Sequence, residues 1–212
     1  MKIIKLELSE ISLPIVIFDG PVGISVSGGA DSAILLYCLM TNTIEPIHVF
    51  TASLKTKNNT APKFAFQVIE KCIELTGNSN VYHHVHFIED MNQHGNLFDG
   101  YKFFLRNRLV SMVYTAETLM PPAEDFGTFK NQDYFIYNQR NTNNKNPILQ
   151  KNFYSPFRHI DKKQIKNIYS KYDLLESLFP VTRSCESTVL TEGHCGECLW
   201  CEERFWAFNR YT

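Results

Sequence analysis

The stretch "VGISVSGGADSAILLYCLM" at 22–40 limits what this chain can become more than any other segment. An apolar, β-rich run stops at Ser27, two glycines follow, and a helix-like apolar run begins after Asp31 and Ser32. Glycines between a strand and a helix bare the backbone. Their N–H groups can face a ligand, and no Cβ blocks the approach of a phosphate. The helix that follows adds its positive N-terminal end. Ser27 and Ser32 offer hydroxyls, and Asp31 can either cap the helix or help hold Mg²⁺ beside phosphates. Two familiar loops do not fit. A Walker A loop needs a lysine that is absent here, and Gly28-Gly29 lacks the spacing of a dinucleotide-binding turn.

The remainder of the chain supplies a frame for such a turn. Further β-rich runs lie at "IEPIHVFTAS", "VYHHVHFIED" and "DYFIYNQ". They alternate with helical patterns at "APKFAFQVIEKCIELTG", which ends at Gly77, at "FFLRNRLVSMVYTAETLM", stopped by Pro121-Pro122, and at "DKKQIKNIYSKYDLLESL", with Asp161 as N-cap. This alternation predicts an α/β fold, a mostly parallel sheet flanked by helices. "PIVIFDG" and "VGISVS" lie close enough to form a hairpin, with the second strand central. His83, His84 and His86 alternate along a strand, with His84 expected to face away from the other two, so they read as strand residues and not as a chelate. The division expected is a nucleotide-binding domain over 1–180 and a small appendage over 181–212.

That appendage carries four of the six cysteines. Cys185, Cys195, Cys198 and Cys201 are spaced C-x9-C-x2-C-x2-C, and four thiolates that converge make a tetrahedral Zn²⁺ site. An iron–sulfur cluster, a redox or persulfide pair, and four unligated cysteines are the competing readings. Cys38 and Cys72 lie on apolar helix faces and read as core residues.

Charge and hydropathy narrow the partners. The net charge of −1 argues against a large polyanion, so nucleic acid is not expected. Eight basic residues against one acid, Asp161, between 138 and 171 make a local exception, suited to phosphates or to a carboxylate substrate. No apolar stretch reaches the length of a membrane span, and the charged N-terminal segment is not a signal peptide, so a cytoplasmic protein is expected.

"SGGADS" after a buried strand resembles the S-G-G-x-D-S signature of the PP-loop ATP pyrophosphatase superfamily. The resemblance implies an adenine nucleotide alpha hydrolase-like fold, ATP held by Ser27, Gly28, Gly29, Ala30, Asp31 and Ser32, and cleavage between the α- and β-phosphates. Within the superfamily, "CGECLWCEERFWAF" resembles the tail of the 7-cyano-7-deazaguanine synthases, C-G-x-C-x2-C-x2-R followed by an A-F pair, with Cys195, Gly196, Cys198, Cys201, Arg204, Ala207 and Phe208 in place. "VTRSC" resembles that family's T-x-S-C lead-in to the first ligand. "SPFRHIDKKQI" aligns Lys162 with a family lysine, and "LRNRLVSMVYTAE" keeps Arg106, Asn107 and Ala116. The family's Tyr-Pro-Asp-Cys-Arg-like substrate segment is absent, and "DYFIYNQRNTNNKN" stands in its place.

The resemblance implies a queuosine-type ligase that turns a 7-carboxy-7-deazaguanine-like acid, with ammonia and ATP, into a nitrile. It implies ATP, Mg²⁺ and Zn²⁺ as cofactors and leaves a homodimer open. Asp31, Lys162 and Arg106 are the catalytic candidates, Lys162 first and Arg106 second as the cation on the α-phosphate. Thr182 and Ser184 are placed to meet the substrate. The loop over 138–160 is expected to rebuild the acceptor pocket, with Arg140 and Arg158 as cations and Asn138, Gln139 and Asn141 as amides. Two alternatives are a PP-loop enzyme with another acceptor, amide-forming or tRNA-modifying, and a non-catalytic nucleotide-binding partner protein.

Overall fold

A computed structural model describes residues 1–212 except 9–10, 55–59, 89–100, 131–146, 151, 186, 188–189 and 191. The chain begins with β1 (Lys2–Glu7) and β2 (Ser12–Ile17), an antiparallel ribbon. In β2, Leu13, Ile15 and Ile17 alternate inward against Ser12 and Pro14 outward, the period of a half-buried strand. The ribbon is tied to the main sheet by tyrosine hydroxyls: Tyr114 donates to the Val16 carbonyl at 2.7 Å, and the Val16 amide donates to Tyr154 at 3.2 Å.

The expected hairpin between "PIVIFDG" and "VGISVS" does not form. β3 (Val22–Ser25) has both edges occupied by parallel neighbours, β4 (Ile47–Leu54) on one side and β6 (Val113–Tyr114) on the other. That leaves β2 to pair with β1. The six-stranded sheet has the order β5-β4-β3-β6-β8-β7, with β5 at Val81–Ile88, β7 at Ile148–Gln150 and β8 at Phe153–Tyr154. β5, β4, β3, β6 and β8 run parallel, and only β7 is antiparallel. The predicted mostly parallel α/β sheet is what the chain adopts, with β3 central.

The longer helices among the described residues are α1 (Ala30–Asn42), α2 (Ala61–Thr76), α3 (Lys162–Lys171) and α4 (Leu199–Phe208). α2 ends at Gly77 with φ of 70°, as its sequence predicts. Asp161 caps α3 in a full capping box with Gln164. The helix expected over 103–120 is cut short. Helical backbone ends at 106, Arg108 takes φ of 55°, and Val113–Tyr114 become β6. A β-branched and an aromatic residue suit a central strand, and the slot beside β3 overrides the local helical period. The strand expected at "DYFIYNQ" lies outside the described residues.

The principal core joins Ile24, Val26 and Val49 to α1, α2 and α3, and Ala207 and Phe208 of the C-terminal segment belong to it. Phe50, Tyr101, Val110, Val113 and Phe153 form a second cluster. The C-terminal helix therefore packs into the α/β body, with Phe208 stacked on Phe179 at 4.1 Å.

Candidate functional site

Between β3 and β6 the strand order reverses, and the crevice beyond the carboxyl ends of such strands is where open α/β sheets bind ligands. The glycine turn lies there. Gly28 has φ of +87°, and a Cβ on it would stand 2.6 Å from Phe64 Cβ, so only glycine fits. Gly29 is the N-cap of α1, with φ of −78°, and its carbonyl accepts from the Ala33 amide at 3.1 Å and from Ser32 Oγ at 3.2 Å. A Cβ on Gly29 would meet nothing closer than Ser27 Oγ at 3.4 Å, so the space over it is open. Ala30 is buried at the head of the helix. Asp31 does not cap α1, because glycine already holds that position.

Instead, Asp31 meets Lys162. The Lys162 ammonium lies 2.5 Å from Asp31 Oδ2 and 3.6 Å from Glu203 Oε2. Lys162 is 4% exposed and Glu203 0%, so this is no solvated lysine. Asp31 Oδ1 is buried and has no hydrogen-bond partner among the described residues. Tyr169 closes the group from below by donating to the Ala30 carbonyl at 2.8 Å. Arg204, fully buried, donates to Thr182 Oγ1 at 2.9 Å, to the Phe179 and Thr182 carbonyls, and through Nε to the Tyr211 carbonyl. Burial pushes its guanidinium down to about 10.

A cleft of about 550 Å³ opens beside the turn, lined by Ser25, Ser27, Gly29, Asp31 and Ser32 on one side and by 115–119, Arg158 and Trp200 on the other. Arg158 pairs with Glu117 at 3.2 Å. Arg106 is exposed and is not among the residues lining this cleft. Thr182 is buried and committed to Arg204, whereas Ser184 Oγ lies 3.9 Å from the position a Gly29 Cβ would take. Asn138, Gln139, Arg140 and Asn141 lie outside the described residues. Glu203, Glu117 and Trp200 are site residues that the sequence did not single out. Their contacts join distant parts of the chain, and no local spacing announces them.

The four sulfurs of Cys185, Cys195, Cys198 and Cys201 lie within 4.8 Å of one another, with Cys195 and Cys201 3.9 Å apart. Tetrahedral zinc–thiolate bonds of about 2.3 Å place sulfurs about 3.8 Å apart, so the set fits one metal ion. Backbone amides aim at the sulfurs, among them Cys198 N to Cys195 Sγ at 3.3 Å and Cys195 N to Cys185 Sγ at 3.5 Å, the arrangement a thiolate ligand needs. Gly196, with φ of +73°, makes the tight knuckle between the second and third cysteines.

Along β5 it is His83, and not His84, that faces apart. His83 meets Thr51 at 2.9 Å on one face, while on the other His84 stacks on Phe50 and His86 meets the same ring tilted. Two-residue alternation puts positions 84 and 86 together.

Fold and site together describe a mostly parallel α/β protein with a glycine turn at its topological switch point and a four-cysteine set able to hold a metal. No protein-family model matches the sequence, and no curated protein matches it. Among solved structures, the U34-tRNA thiolase NcsA from Methanococcus maripaludis, described with its 4Fe–4S cluster, is similar over 74% of this chain with a TM-score of 0.39 and 14% identity. This chain covers 58% of the thiolase, less than two thirds of its length. NMN synthetase from Francisella tularensis is similar over 92% of this chain and 79% of its own, with a TM-score of 0.43 and 14% identity. At these scores neither likeness carries a functional argument. No helix among the described residues is long and apolar enough to cross a membrane.

Proposed function

We propose that this chain is an ATP-using enzyme of the PP-loop type that cleaves ATP between its α- and β-phosphates. The observation that carries the reading is the Asp31–Lys162 pair, 2.5 Å apart, with the lysine buried and the aspartate half-buried at the mouth of an open glycine turn. A buried lysine beside bare backbone N–H groups and a helix N-terminus is a ready anion site. In this reading the amides of 27–32 and the serine hydroxyls hold the pyrophosphate end. Lys162 neutralises charge developing on the α-phosphate, by positioning and electrostatics rather than by proton transfer. Asp31, through the oxygen without a partner among the described residues, would hold Mg²⁺, which screens the phosphate charges.

The acceptor is a carboxylate on an anionic heterocycle, of the 7-carboxy-7-deazaguanine kind. Its carboxylate oxygen attacks the α-phosphorus, the bridging P–O bond breaks, and pyrophosphate leaves. Ammonia then displaces AMP at the acyl carbon to give the amide. A second adenylation, on the amide oxygen, lets AMP carry that oxygen away with loss of a proton as the nitrile forms. Arg158, lining the cleft, supplies a cation for the acceptor, and Trp200 supplies a ring face. Arg106, exposed, has no part in this scheme. The four cysteines hold zinc, which contributes order to the C-terminal segment rather than chemistry. The near-neutral charge supports a small-molecule acceptor over a nucleic acid, and a cytoplasmic setting is consistent with six cysteines of which none forms a disulfide.

The test is product analysis. With ATP, ammonia and 7-carboxy-7-deazaguanine, AMP, pyrophosphate and a nitrile are expected by mass spectrometry. ADP and phosphate would sink the ATP reading. Turnover with a different acid alone would retire the deazaguanine acceptor and leave the phosphate chemistry standing.

A further inference from the structure

Two carboxylates face the Lys162 ammonium. Asp31 Oδ2 is 2.5 Å from it and Glu203 Oε2 is 3.6 Å from it, so the two acids share one cation that has three donors. Glu203 is fully buried on α4, where a carboxylate beside an ammonium is screened little by water. The cysteine-rich tail pattern, C-x2-R, leaves this position open to any residue, so the motif does not require it. Arg204, next in the chain, does not substitute for Lys162, because its donors are taken by Thr182, Phe179 and Tyr211. The other carboxylate is different in kind: Asp31 reaches the cleft and keeps one buried oxygen without a partner among the described residues.

We infer that Glu203 is a positioning residue that retains Lys162 when Asp31 turns to the divalent cation accompanying the nucleotide. The inference rests on the PP-loop reading above. The physical reason is the asymmetry of buried pairs. A lysine left without a partner in the interior is strongly unfavourable. If Asp31 were the sole partner, it would be locked onto Lys162 and the cation site would be weak. With Glu203 3.6 Å from the ammonium, Asp31 is free to leave it. One carboxylate is fixed and the other exchanges between lysine and cation. The lysine stays at the α-phosphate throughout.

The experiment is Mn²⁺ binding by electron paramagnetic resonance, with full-length protein and an α,β-methylene analogue of ATP. Glu203→Gln is expected to weaken Mn²⁺ binding about tenfold, less than the full loss of a buried ion pair, and to raise half-saturating Mg²⁺ for pyrophosphate release by the same factor. Melting temperature and metal content of the cysteine site are measured alongside, since a purely structural role would move those and not the cation affinity. Asp31→Asn is expected to abolish Mn²⁺ binding, and Glu203→Asp to fall between wild type and Glu203→Gln. Wild-type Mn²⁺ affinity in both Glu203 variants, with loss in Asp31→Asn, overturns the inference and spares the phosphate site. Should Glu203→Gln fail to fold, Glu203→Asp decides alone, and wild-type affinity in it overturns the inference. Absence of any Mn²⁺–nucleotide binding in wild type removes the site reading and the inference with it.

Discussion

The backbone amide of Arg183 donates to the carbonyl of Gly28 at 2.8 Å. The cysteine-bearing segment is therefore stitched to the glycine turn. Arg183 also sends its guanidinium to Thr60 Oγ1 at 2.6 Å, to the Gly193 carbonyl at 2.9 Å and to the Leu190 carbonyl at 2.8 Å. One residue thus fastens the turn, the start of α2 and the loop before the last three cysteines. Disturbance at any of these is expected to be felt at the others.

The two glycines are separable. Gly28→Ala forces a side chain into a left-handed backbone and against Phe64 Cβ at 2.6 Å, and is expected to cost about 1–3 kcal/mol in urea unfolding. Gly29→Ala meets only ordinary contacts and should leave the melting temperature unchanged. If phosphate sits over Gly29, the same substitution blocks nucleotide binding, measured by calorimetry. Equal stability loss in both variants would contradict the geometry.

Arg204→Met keeps the stem and removes every donor. The carbonyls of Phe179, Thr182 and Tyr211 lose a buried partner, and Asp31 loses a nearby cation. A loss of about 3–5 kcal/mol is expected from denaturant titration, the scale for breaking a buried charged network. A change below 1 kcal/mol would mean those groups find water.

Asp161→Ala removes the cap of α3, whose first residue is Lys162. The expected destabilisation is about 1 kcal/mol. Asp161→Asn or Asp161→Ser should restore most of it, because either side chain accepts from the Gln164 amide. Failure of both to rescue would assign the loss to charge and not to capping.

Metal analysis should give one zinc per chain, and a chelator should lower the melting temperature, because binding and folding of the cysteine segment are linked. Iron with labile sulfide in place of zinc would replace the single-ion reading.

Burial holds His48, His83, His84 and His86 below the ordinary histidine value of 6.5 in the folded chain. For His84 the neighbouring histidines add to that effect. The unfolded chain thus binds more protons just below 6.5, so these groups favour folding fully above that pH and lose their contribution as pH falls through it. Thermal melts at pH 8 and pH 5.5 should differ in that direction. His84→Phe, which keeps the stacking on Phe50 and cannot titrate, should reduce the difference without abolishing it.

What the sequence determined by itself is local. A doubled glycine between a strand and a helix can only be a bare turn, Gly77 ends its helix because it tolerates a left-handed backbone, Asp161 caps because Gln164 follows at the right distance, and four cysteines at short spacing converge because their loops are short. Each of these depends on neighbours within a few turns of chain. The tertiary structure decided the rest. Val113–Tyr114 became a strand because a slot beside β3 was open, against their local helical pattern. β2 took β1 as partner because β3 had no free edge. Lys162 became a buried charge, and not a solvated one, only when α3 and α4 closed over Asp31. That cluster draws residues 31, 162 and 203 together, and its energy lies in desolvation and pairing across those separations. No periodicity encodes such a meeting.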